Sequence, residues 1–237
     1  MREIVYMSDG KLKQFLPEPR RVPRTGSLRV TTPVGGFDMD APASDGDQSQ
    51  LRHLEQVHKH MELVSRWYAE PGLRPGQWVQ FEAPLRCVTL KGPHRNLLLF
   101  VDPPQGASEC RLLMHGSVRH LRGWTPTAVD VPGSEAGDNE SSLGPVFITR
   151  AAQVVRALSA QDEPSTASEV TSGPVGRLNS RGVRELLEAL DAENGDIDTS
   201  AVMTGYARVS AVLPQSDGAP PCLVASPLTV QFADQQP

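Results

Sequence analysis

Trp78-Val79-Gln80-Phe81-Glu82-Ala83-Pro84-Leu85-Arg86-Cys87-Val88-Thr89 is the stretch that decides the fold class. Apolar and polar residues alternate twice in it, from Trp78 to Glu82 and again from Leu85 to Thr89. That period of two belongs to a strand with one covered face. Pro84 has no N–H to give to a ladder, which predicts a bulge or an edge position there. Lys91-Gly92-Pro93-His94 reads as a turn, and Asn96 to Val101 as a strand covered on both faces, because it is nearly all apolar. Past Asp102-Pro103-Pro104-Gln105-Gly106, Arg111-Leu112-Leu113-Met114 reads as a further buried strand. Strands joined by connections this short pair antiparallel.

The same reading extends in both directions. Residues 2–7 form a short strand, and Leu28–Val34, Gly35-Gly36 and Phe37–Asp40 form a hairpin whose two glycines supply positive φ. Ala201–Leu213 and Cys222–Phe232 are two long strands around a Pro/Gly-rich turn. A helix is expected over 48–69, with Leu51, Leu54, Val57, Met61, Val64 and Tyr68 on one stripe. Others follow at 149–160, with Val154, Val155 and Leu158, and at 180–192, with Val183, Leu186, Leu187 and Leu190. A brief helix at 9–15 follows Ser8. About eight strands and three or four helices, with hairpins wherever pairing can be assigned, define an α+β fold whose helices pack on a mainly antiparallel sheet. The expectation is one domain over residues 1–237, with mobile loops near 132–144 and 161–177; a division near 125–145 is the alternative.

Composition narrows the function classes. The formal net charge of −5 argues against a nucleic-acid partner, whose binders carry a clustered basic face. Lys11, Lys13, Arg20, Arg21 and Arg24 are the nearest approach to one, and a solvated loop explains them. Cys87, Cys110 and Cys222 form no CxxC pair and are read as buried thiols in a reducing, cytoplasmic setting. The longest apolar run, Leu97–Val101, is too short for a membrane span, and Met1–Met7 is too short for a signal peptide. No membrane association is expected.

Chemistry-bearing residues are few. His53, His58 and His60 share the long helix, but metal pairs need spacings of three or four; His53 and His60 lie two turns apart. No metal site is expected, and no cofactor can be named. The acidic run Asp191 to Asp198 lacks the glycine and glutamate positions of a calcium loop and reads as a helix end. His115, Ser117 and His120 are more informative. Ser117 as the cap of a following helix would direct free backbone N–H groups toward an anion. Ser8 stands in the same strand-to-helix context, and parallel neighbouring strands would bring both caps to one edge. Ser8, His115, Ser117 and His120 are therefore the candidate ligand-binding residues. Ser117 with a histidine as its base is the enzymatic alternative, a small hydrolase or transferase. Its obvious acid, Asp102, is expected opposite Cys110 and roughly 17 Å from His115, too far for a triad. Glu82 or Asp9 would have to replace it. No catalytic residue is assigned.

Arg2–Leu12, His115–Leu121, Gly205–Val209 and Val224–Ser226 with Pro227-Leu228 resemble an uncharacterised family of actinobacterial, Streptomyces-type proteins. The resemblance implies one domain over nearly the whole chain and brings no reaction, cofactor or partner. The residues favour a soluble, non-enzymatic binding or interaction module in the cytoplasm, for a small anionic ligand or a partner protein.

Overall fold

The computed structural model describes residues 3–15, 45–104, 110–129, 151, 153–158, 180–193, 200–215 and 219–233. The expected hairpin at 28–40 and the expected loops near 132–144 and 161–177 lie outside them. The chain divides into two compact units, residues 9–63 and residues 1–8 with 64–237.

The smaller unit contains α1 (Asp9–Lys13) and most of α2 (Asp45–Val64). Leu54, Val57 and Met61 are buried at helical spacing, as the stripe predicts. The helix stops five residues before its expected end. Arg66 and Trp67 form a short strand, β2, beside Val79 and Gln80, and the Tyr68 N–H donates to the Gln80 carbonyl at 3.0 Å. The Glu70 carboxylate accepts from both the Trp67 N–H and the Arg66 guanidinium, which holds the chain extended there. Pairing with the strand that carries Val79 and Gln80 thus overrides a favourable helical period.

The larger unit is built on one eight-stranded sheet: β1 (Ile4–Met7), β2, β3 (Trp78–Leu90), β4 (Leu97–Val101), β5 (Arg111–Ser117), β6 (Thr127–Val129), β7 (Ala201–Leu213) and β8 (Cys222–Phe232). The fold is α+β, but the sheet is mixed. β2 and β6 run parallel to β3, and β5 runs parallel to β8. Hairpin reasoning misses these pairings because none joins two strands through a direct turn. The chain between them crosses over, across ten residues for β2–β3 and through other strands for β3–β6 and β5–β8. The β5–β8 pair forms when the β7–β8 hairpin returns the chain alongside β5.

β3 has two partners in succession. Its residues 78–85 pair with β7, and residues 86–89 pair with β4. With β4–β5, β5–β8 and β7–β8, this closes five strands into a ring. From Arg86 the register passes to Val101, Leu113, Val224 and Ala211, ten positions past Ala201, the partner of Leu85. So large a stagger tilts the strands steeply, and with only five strands in the ring the lumen stays small enough for side chains to fill it. Phe81, Leu85, Leu98, Phe100, Leu112 and Met114 are among the inward residues, all fully buried. Gly205 lies where β7 and β8 touch; a Cβ there would run into the Thr229 carbonyl and crowd the Phe81 ring.

Register continues unbroken through Pro84, so there is no bulge. The Gln80 carbonyl faces β2, so even-numbered residues of β3 turn their backbone groups away from β7. Pro84 therefore presents its missing donor between the end of the β2 pairing and the start of the β4 pairing. That is the edge position its chemistry requires.

Helix α3 (153–158) and α4 (Ser180–Glu193) cover the outer face of the barrel over β4, β5 and β8. Val154, Val155, Leu158, Val183, Leu186, Leu187 and Leu190 meet Leu97, Leu99, Val101, Leu113 and Val224 there. The strand covered on both faces, β4, is buried at all five positions.

Candidate functional site at the end of the fifth strand

β5 ends in His115-Gly116-Ser117 and leads into one 3₁₀ turn, Val118–His120. Ser117 is extended and its hydroxyl makes no cap hydrogen bond, so the expected helix cap does not form. Competing backbone bonds explain this. The Val118 N–H donates to the Asn96 carbonyl and the Leu121 N–H to the Val118 carbonyl. Leu121 then bridges to Tyr6, and the Arg122 N–H donates to the Val5 carbonyl. The chain is drawn onto β1 after a single turn.

β1 and β5 are not parallel neighbours. β1 pairs antiparallel with β8, while β5 pairs parallel with it. Their C-terminal ends therefore converge on one stretch of β8: Met114 pairs with Ala225 and Met7 with Thr229, and the Ser8 N–H donates to the Leu228 carbonyl at 2.9 Å. The parallel neighbouring strands expected from the sequence are thus replaced by two strands that approach end to end along β8.

The residue at the centre of this corner is Tyr6. Its ring is buried edge-to-face against Phe100, at a centroid distance of 5.8 Å, and against His120, at 5.7 Å. The ring lies over Gly116, where a Cβ would be 2.5 Å from the Tyr6 hydroxyl oxygen. His120 accepts at Nε2 from Arg119 Nε at 3.4 Å. His115 is 1% exposed, and its Nε2 is 3.3 Å from Ser210 Oγ. Strand alternation puts His115 and Ser117 on the outer face with Leu113. His120 packs on Tyr6, which belongs to the lumen core. Ser117 and His120 share one turn, whereas His115 faces the other side of the sheet from the Tyr6 ring.

Asp102 is not opposite Cys110. Its N–H donates to the Leu112 carbonyl, so the register is two residues from the expected one, because β5 runs on to Ser117 and pairs it with Leu97. Three strand positions, ~10 Å, separate Asp102 from His115. Asp102 instead joins a cluster at the other end of β5. Arg111 reaches Asp102 Oδ1 with Nε at 3.3 Å and Asp191 Oδ2 with Nη1 at 2.8 Å; Arg86 Nη2 reaches Asp191 Oδ1 at 3.1 Å. Burial pushes the Asp102 carboxyl up to about 6 against the pull of Arg111. Burial works against the Arg111 charge, and Asp191 and Asp102 more than restore it. The nearby Cys222 thiol, like Cys87, is raised to about 12 by burial, and Cys110 is also raised, so none is a nucleophile at neutral pH.

Residues 2–234 match the model of a family described as a family of unknown function (DUF7019). The chain belongs to that family. No curated protein and no solved structure matches it. Three of the segments that carry the resemblance hold Tyr6, Gly116 and Gly205, and this family member leaves no room for a Cβ at either glycine. The sequence reading passed over Tyr6, Arg86 and Arg111. A tyrosine in a short apolar strand gives no separate signal, and Asp191, the partner the two arginines share, lies 80 and 105 residues away. Among the described residues of the family member, no group of three metal-ligand side chains comes together. In the smaller unit, His53 and His60 line a cavity of about 210 Å³ with Phe15, Gln56 and Val57, and Phe15 packs on His60.

Proposed function

We propose that this family member is a non-enzymatic binding module that takes a small anionic ligand at the turn following β5. One observation carries the reading. Arg119 and Arg122 are exposed on either side of His120, in a chain of net charge −5 that has no acidic residue between Arg111 and Val129. A small anion would meet the two guanidinium groups at the turn that Ser117 leads into. Ser8 and His115 support the corner from β1 and from the outer face. The three free cysteines, two of them buried, support a cytoplasmic setting, and the short segments quoted above support an actinobacterial one. The alternative, a hydrolase or transferase with Ser117 as nucleophile, has thinner support. His115 meets Ser210, His120 meets Arg119 and Tyr6, and Asp102 is held by Arg111. A protein partner is favoured by one separate feature: Val64 and Trp67, 46% and 42% exposed, lie just before and in the short strand β2.

Thermal-shift measurements with inorganic phosphate, nucleotides and phosphorylated sugars test the reading. A ligand at about 100 times its dissociation constant adds roughly 2.7 kcal/mol of stability. We expect a raised midpoint that falls with added salt and is lost in Arg119→Ala/Arg122→Ala. A shift that survives that double variant would place the ligand elsewhere. No shift with any of these anions would refute the anion reading and turn attention to a partner at Trp67. Turnover of a bound ester that Ser117→Ala abolishes would establish the enzyme instead.

A further inference from the structure

We draw no further inference here: the strongest candidate, the half-buried cluster of Arg86, Asp102, Arg111 and Asp191 at one end of the barrel, directs its ion pairs at one another, and only the raised pKa of Asp102 would make a switch of it.

Discussion

A methyl group added at residue 116 would lie 2.5 Å from the Tyr6 hydroxyl oxygen and 2.8 Å from its Cζ. Tyr6 cannot yield easily, because Phe100 and His120 hold its ring on two sides. Gly116→Ala is therefore expected to lower stability by about 1–3 kcal/mol, the usual range for overpacking. Tyr6→Phe in the same background should restore part of it by removing the oxygen. Gly205→Ala should be worse than Gly116→Ala, since its added atom meets a backbone carbonyl that has no rotamer to change. Urea unfolding of the four proteins decides this, and an unchanged midpoint for Gly116→Ala would show that Tyr6 is not wedged. Asp102 makes a different prediction. Its folded pKa, about 6, lies above the ordinary 3.8, so the folded state holds the proton more tightly. The associated stability is complete below pH 3.8 and is lost as pH rises through 6. Its size is about 3 kcal/mol at most. Denaturation from pH 4 to pH 7 should give a falling profile that flattens in Asp102→Asn, whereas parallel profiles would show that the proton sits elsewhere.

At the scale of elements, α4 presents an apparent contradiction. Asp191 stands in its last turn, where a negative charge opposes the helix dipole. In an isolated helix, Asp191→Asn would stabilise. Here the carboxylate is shared by Arg111 and by an Arg86 side chain that is 3% exposed, so its removal takes a charged partner from both guanidinium groups, one of them buried. We expect a loss of about 3 kcal/mol, read by chemical denaturation. A stabilised variant would mean that the apolar face of α4 docks the helix without the ion pairs. Elements with strong local pattern were the legible ones. β7 and β8 begin and end where the sequence predicts, and α4 differs by one residue, because each stretch is long and is bounded by turn residues. β2 was illegible. Two residues carry no period, and Arg66 and Trp67 are extended only because Val79 and Gln80 lie beside them. The Ser117 cap failed for the same kind of reason: β1 captures the chain at Leu121 and Arg122 before a helix can grow.

Closure of the barrel belongs to the whole larger unit and could not be read locally. The strands that form the ring were legible, but the ring depends on which of them meet. β3 pairs with residues more than a hundred positions away through its first eight residues and with its own hairpin partner through the next four. The candidate site follows from that topology. β1 and β5 run toward each other along β8, and their meeting forms the Tyr6 corner, though the two strands are separated by more than a hundred residues. A closed ring also has a thermodynamic consequence. An open sheet frays from its edge strands, but β3, β4, β5, β7 and β8 each have a partner on both sides for part of their length. Phe100 occupies the lumen that all five share. Phe100→Ala should cost about 3–5 kcal/mol and accelerate the slowest-exchanging amides of the five strands by a common factor, because they open together. Hydrogen exchange followed by NMR measures this strand by strand. If β7 and β8 kept their protection while β4 and β5 lost theirs, the hairpin would be an independent unit and the ring would not unfold as one.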